Sequence, residues 1–363
     1  MAQAQEFEKV IEHSDGNVAS FAHSRSPLEK LRHFLHANNA AAPLIILILS
    51  LVAFGILIDA IPIAMGWREN VKFFNAFSLT LIIQQVAITG IVGAAQTLVV
   101  LTAGIDLSVG AIMVLSSVVM GHFTFRYGIP VPIAILFGLG CGALCGFING
   151  WLVARMKLPP FIVTLGTWQI FGAIKYIYSK NETIRGQDIE SQAPLLQFFG
   201  IQFKIGGAVF PLGVILMVLL VVFLWYVLNY TAWGRRLYAV GDDPDAAELS
   251  GVQVKRILVS VYTISGLICG IAGWVLIGRI GSVSPTSGEY ANIDSITAVV
   301  IGGISLFGGR GSILGMIFGG LTVGVYSLGL RLLGADPQYT YLLIGILIIA
   351  AVASDQWIRK VAG

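Results

Sequence analysis

Between Ala76 and Val153 the chain runs for 78 residues with only two full charges, Asp106 and Arg126. No soluble domain folds from such a stretch, because its outside would have almost nothing to hold water. The run is also several times the length of one membrane crossing, which takes about 20 apolar residues. The whole chain agrees: 11% of its 363 residues are charged and 56% apolar, where a soluble chain carries roughly 25% charged. A polytopic, all-α membrane protein follows.

Ten apolar segments are long enough to count as candidate spans, at roughly 44–65, 76–101, 106–124, 131–153, 160–179, 209–229, 258–278, 293–306, 312–330 and 339–356. The eighth is short and bounded by glycine, which suits a segment that enters the membrane without crossing it. The second and third join at Thr102–Asp106 and read as one long span broken near its end. Residues 1–42 are polar, with four Lys/Arg against five Asp/Glu, and lack the basic start and apolar core of a secretory signal. They read as a cytoplasmic tail with a short surface helix at Pro27–His36, leaving 43–363 as the transmembrane domain. With both termini inside, 13 of the 22 Lys/Arg fall on inner segments, including the basic pairs Arg235-Arg236 and Lys255-Arg256.

The remaining totals exclude other classes. A net charge of +3 is too weak and scattered for a nucleic-acid surface. Cys141, Cys145 and Cys269 sit inside apolar segments and read as packing residues. Four of five histidines lie in the tail and only His122 elsewhere, so neither a metal cluster nor a cofactor is implied.

Glycine, at 43 residues, is far more frequent than helical soluble proteins tolerate. In membranes small residues bring helix backbones together. Gly138, Gly142 and Gly146, then Gly311, Gly315 and Gly319, and Gly266 with Gly270, form stripes at four-residue spacing. An internal echo also appears: Thr97–Ile105 reads against Thr297–Ile304, each before a glycine-containing break. Duplicated halves with interrupted helices are a transporter habit; the alternative is chance likeness between two apolar stretches.

Four features could carry function. Asp106 is an acid in an apolar region, hence a gate or path candidate, or else a helix cap after the turn at Gly104. Gly302–Ser312 looks like a phosphate loop but lacks the lysine, and fits a re-entrant turn with Arg310 at the boundary. With no other such loop in the chain, any ATPase would be a separate polypeptide. The cytoplasmic segment 231–256 places Arg235 at one basic elbow, a break at Gly241, and a helix capped by Asp243 that continues through Ala246, Ala247, Glu248 and Ser250 until Gly251 ends it. It is either a solvated loop or a docking helix for a cytoplasmic partner. Finally Gln96, Thr97, Asn149, Thr164 and Gln169 could line a path for a neutral polyhydroxyl solute, or tie helices together.

The stretches Leu101–Gly110 (LTAGIDLSVG), Gly234–Gly251 (GRRLYAVGDDPDAAELSG), Pro285–Gly303 (PTSGEYANIDSITAVVIGG) and Ser305–Gly311 (SLFGGRG) resemble, in order, the monosaccharide ABC-importer permeases of the ribose, xylose and fructose type. The resemblance runs from about residue 44 to the C-terminus and is strongest to the fructose type of rhizobia. It implies the ABC importer permease fold in the bacterial inner membrane, two permease copies forming a homodimer among membrane lipid, a periplasmic sugar-binding protein, a cytoplasmic ATPase subunit and a monosaccharide substrate. The family's coupling helix maps onto Asp243–Ser250 and the acid of its first motif onto Asp106. Ala103 stands where the family usually has a second glycine, and Asp242-Asp243 where many members have glycine-asparagine.

Two other functions remain to be weighed. A secondary carrier would use Asp106 as a proton site. An intramembrane enzyme would need a second acid or histidine beside it, yet Asp59 lies near the outer end of the first span.

Overall fold

The computed structural model describes residues 40–362 except 68 and 289; most of the tail, with its surface helix, lies outside the described residues. Among the described residues thirteen α-helices follow in chain order. They are α1 (Ala41–Ala64), with a π-helical turn at Ile56–Ala60, α2 (Ala76–Leu101), α3 (Val109–Tyr127), α4 (Val131–Met156), α5 (Pro160–Ser179) and α6 (Gly186–Gln192). After a 3₁₀ turn at Pro194–Gly200 come α7 (Leu212–Tyr230), α8 (Ala232–Asp242), α9 (Pro244–Leu249), α10 (Val254–Ile280), α11 (Ala291–Ile301), α12 (Ile313–Leu332) and α13 (Pro337–Ala362).

Each of the ten expected spans falls on a helix. Seven of these, α1, α2, α3, α4, α7, α10 and α12, are long and apolar enough to cross a membrane. The eighth segment is the 11-residue α11, as short as its bounding glycines implied. The protein is all-α and polytopic with one small exception. The long polar segment after α5 carries a hairpin, β1 (Gln202–Ile205) antiparallel to β2 (Ala208–Pro211), turned by Gly206-Gly207 with both φ positive.

Large apolar side chains stay exposed along α1, α4, α5 and α7, among them Leu136 on α4 and Ile177 on α5. A soluble protein would not display faces of this kind. The interior is held by the glycine stripes. Gly142 and Gly146 on α4 meet Gly266 and Gly270 on α10 backbone to backbone; a Cβ on Gly142 would lie 3.1 Å from the Gly270 Cα. Gly138 faces Met120 on α3, and Gly315 and Gly319 on α12 face Ala298 on α11 and Gly302 at its end. Any side chain larger than hydrogen at these crossings separates the helices. A second apolar cluster joins α1 to α12 through Leu47, Phe54, Phe73, Val325 and Leu328. Beside it the Asp59 carboxylate accepts from the backbone N–H groups of Lys72 (2.7 Å), Phe73 (3.0 Å) and Phe74 (2.9 Å).

The internal echo has a backbone counterpart. Helix α2 ends with Ala103 N donating to Val100 O (2.9 Å) and Gly104 N to Val99 O (3.1 Å); α11 ends with Gly303 N donating to Val300 O (3.0 Å) and Ile304 N to Val299 O (3.2 Å). Ala103 (φ 59°) and Gly303 (φ 71°) take the left-handed conformation that closes this type of helix end. One turn earlier Thr97 Oγ1 donates to Gly93 O and Thr297 Oγ1 to Ile293 O.

Candidate functional site

The break after α2 is clamped from three helices. The Asp106 carboxylate accepts from Ser108 N (2.7 Å) and Ser108 Oγ (2.6 Å), while Asn149 Nδ2 on α4 donates to Ser108 Oγ (2.8 Å). Thr164 Oγ1 on α5 donates to Ile105 O (2.8 Å). The Gln96 amide on α2, oriented to satisfy both groups, donates to Asp106 O (2.9 Å) and accepts from Asp106 N (3.2 Å). All five side chains are buried. In so dry a place an unpaired polar group is costly, so the mutual pairing fixes residues 105–108 in position. Of the sequence candidates, Gln96, Asp106, Asn149 and Thr164 meet in this knot. Thr97 does not join it, being bonded within α2.

The segment between α7 and α10 forms two short helices. Thr231 caps α8 by accepting from Gly234 N (3.2 Å), and Asp243 caps α9 by accepting from Asp245 N and Ala246 N (3.0 Å each), with Pro244 in its first turn. Gly251 (φ 84°) follows the end of α9. Gly241 was expected to break the chain; instead α8 runs through it to Asp242, and the break comes at the Asp243 cap. Glycine is needed there for close approach: a Cβ would collide with the Leu101 carbonyl and stand 2.8 Å from Gly309 N.

At that point three backbones meet. Gly309 N donates to Leu101 O (3.0 Å), bridging the two helix breaks, while Gly241 presses on both. Tyr238 on α8 adds a bond to Gly311 O (3.0 Å), and burial pushes its hydroxyl up to about 12, so it stays a donor. Arg235 is exposed on the outer face of α8. On α9, Ala247 is buried, whereas Ala246 and Glu248 face outward and Leu249 is 90% exposed; Ser250, just past its end, is exposed too. That leucine was missed in the sequence because its helical position alone suits either face.

Two cavities adjoin at Gly288. The larger, about 670 Å³, is lined by Gln85, Thr89, Arg279, Tyr290, Asp294, Arg331 and Tyr341 among others. The second, about 320 Å³, is lined by Gly110, Trp168, Gln169, Lys175, Tyr176 and Asn292, and Gly288 lines both. Gln169 therefore belongs to a cavity and not to the knot, while Gln96, Asp106 and Asn149 line neither. Asn292 Oδ1 accepts from Gly110 N (2.7 Å), fixing the start of α11 to α3. The charged and aromatic lining of the larger cavity escaped sequence reading because its residues come from helix ends far apart in the chain.

The sequence that builds these interrupted helices and the exposed loop helix matches a known family. Residues 78–352 match the family described as branched-chain amino acid transport system / permease component. The chain belongs to it. The protein is accordingly a multi-pass inner-membrane transport permease. It is 69% identical over 99% of its length to the fructose import permease protein FrcC of Rhizobium meliloti, covering 97% of that protein. It is 38% identical to the ribose import permease protein RbsC of Bacillus subtilis, over 79% of this chain and 87% of that one. The xylose transport system permease protein XylH of Escherichia coli is 31% identical, over 84% and 91%. No solved structure matches the chain.

Proposed function

We propose that this chain is the membrane subunit of an ATP-binding-cassette importer for a monosaccharide, with fructose the favoured cargo. The observation that carries the mechanism is the junction of Leu101, Gly241 and Gly309. Through it the loop bearing α9 touches both helix breaks at once. A cytoplasmic ATPase docking on Ala246, Glu248 and Leu249 would push α8 against the junction and shift the population between inward- and outward-open states. Residues 231–256 then act as the coupling loop, with both termini cytoplasmic and the larger cavity facing the periplasm. Two copies, set in lipid, would complete the pathway, and a periplasmic sugar-binding protein would deliver cargo to the vestibule.

The vestibule suits a sugar. Its volume is in the range of small-ligand sites, roughly 300–1,000 Å³. Gln85, Thr89 and Tyr290 offer both donors and acceptors, Asp294 accepts and Arg279 and Arg331 donate, so vicinal hydroxyls can be met from several sides. The family description names an amino acid, whereas the individually named relatives are sugar permeases, one of them 69% identical over 99% of this chain. Asp106, with its carboxylate engaged by Ser108, is assigned to holding the break and not to proton transport.

The test is uptake into proteoliposomes containing the permease, its ATPase and its binding protein. Fructose should accumulate with ATP and persist when the proton gradient is collapsed. Uptake that disappears with the gradient would establish a secondary carrier instead. Glu248→Arg with Leu249→Arg should lower uptake at least tenfold while the permease still inserts; unchanged uptake would remove the docking role of α9.

A further inference from the structure

A third cavity, about 340 Å³, lies apart from the junction, the knot and the vestibule, on the same side of the protein as the 231–256 loop. Its mouth is made of Arg155 in the last turn of α4 and Lys255 and Arg256 in the first turn of α10. All three are exposed, and no carboxylate among the described residues pairs with them. Below the mouth the wall is one face of α10, through Val259, Ser260 and Thr263. Ser260 Oγ donates to Ile257 O and Thr263 Oγ1 to Val259 O (2.7 Å each), so both hydroxyl protons are used within the helix and the wall offers mainly carbon. From Lys255 to Thr263 this face runs about 12 Å at 1.5 Å per residue.

We propose that this cavity binds an anionic phospholipid, its phosphate among the three cations and the upper part of one acyl chain along α10. Three uncompensated cations attract a phosphate, and the two of them in the first turn of α10, Lys255 and Arg256, stand where the helix dipole adds partial positive charge. The apolar groove that continues from them into the membrane selects a phosphate that carries a chain, since a soluble anion has no use for it. The site also has a route to function. Trp233 Nε1 on α8 donates to Ser260 Oγ (2.9 Å), so the groove wall is tied to the loop that reaches the junction. A bound lipid would hold α8 in place and make transport sensitive to the charge of the bilayer.

The full-length permease, purified in detergent, would be melted with dioctanoyl-phosphatidylglycerol, dioctanoyl-phosphatidylcholine or glycerol 3-phosphate. The phosphatidylglycerol should raise the melting temperature saturably, and the other two should not at equal concentration. R155Q/K255Q/R256Q should bind it about fivefold more weakly per charge removed, the factor corresponding to about 1 kcal/mol per basic residue. R155K/K255R/R256K should retain the response, separating charge from fold. An equal shift with glycerol 3-phosphate would overturn the proposal in favour of a soluble-anion site, and an equal shift with phosphatidylcholine in favour of unspecific solvation. A glutamine variant that keeps the lipid response but no longer co-purifies with the ATPase would overturn it too, assigning the cations to a protein contact.

Discussion

The two helix breaks end alike and continue differently. After Ala103 and Gly303 the same pair of backbone bonds closes α2 and α11. The first break then passes in a few residues through Asp106 to the cap of α3, immobilised by buried side chains of Gln96, Asn149 and Thr164. The second runs through Ser305, Gly308, Gly309 and Gly311 and is held by backbone bonds, Ser305 N donating to Arg310 O (3.0 Å) and Gly309 N to Leu101 O. These are joined by the half-buried Tyr238 hydroxyl, donating to Gly311 O, and the Ser305 hydroxyl, accepting from Phe307 N. Side-chain pairing in a dry interior fixes geometry, whereas a glycine turn can move by changes in φ and ψ. Under the proposed coupling mechanism the comparison teaches a division of labour: the first break would be the anchor, and the second would transmit motion between the loop and the core.

The difference can be broken by substitution. Asp106→Leu should have the largest effect on stability, about 3 kcal/mol, because it removes two hydrogen bonds to a carboxylate and leaves Ser108 N without its acceptor. Thermal melting of the purified protein checks it, and an unchanged midpoint would remove the anchor from the comparison. Gly309→Ala should cost about 1–2 kcal/mol, since Gly309 is left-handed (φ 70°) and a Cβ would stand 2.8 Å from Asp242. Its main effect should appear as uncoupling: ATP hydrolysis by the partner continues while uptake falls at least tenfold. If both variants change melting and coupling in the same proportion, the two breaks do one job.

A smaller effect is expected at Tyr238. Tyr238→Phe removes one bond to Gly311 O, worth about 1 kcal/mol. The wild-type hydroxyl is raised to about 12 by burial. A raised folded value means its contribution is fully present below the ordinary tyrosine value near 10 and lost only as pH rises through about 12. The difference in stability between wild type and variant should therefore stay constant from pH 6 to 9. A difference that shrinks within that window would show that the hydroxyl ionises there and does not serve as a fixed donor.

Local features of this molecule were legible in the sequence and assembled ones were not. Apolar length located the helices, and glycine spacing located the packing faces of α4, α10 and α12 though not their partners, because a stripe at four-residue intervals constrains one helix face by itself. The Asp243 cap and the short α9 followed from Asp-Pro and Gly251 for the same reason. Gly241 was misread as a break because glycine permits a turn and a close approach equally well, and only the position of Leu101 and Gly309 decides between them. The polar residues Gln96, Asp106, Asn149 and Thr164 were recognisable individually, yet their meeting depends on three helices converging. Arg279, Asp294 and Arg331 come together through the ends of α10, α11 and α12, and no spacing within any one segment announces it.

The finest test concerns the left-handed residue of each paired ending, Ala103 in one and Gly303 in the other. Ala103 holds a left-handed φ that an alanine adopts at a cost of roughly 1–2 kcal/mol, whereas Gly303 takes the matching conformation freely. Ala103→Gly removes that strain but adds freedom to the unfolded chain, an opposing term of about 0.4–1 kcal/mol. It also removes a methyl group lying close to Gly308, which limits the gain. The net expectation is a stabilisation of about 0.5 kcal/mol. Gly303→Ala reverses the balance and should destabilise by about 1 kcal/mol. Opposite signs in paired melting experiments would show that both endings are held in the same left-handed state in solution. Equal signs would mean that the loop beyond one of them, and not the helix end itself, sets its conformation.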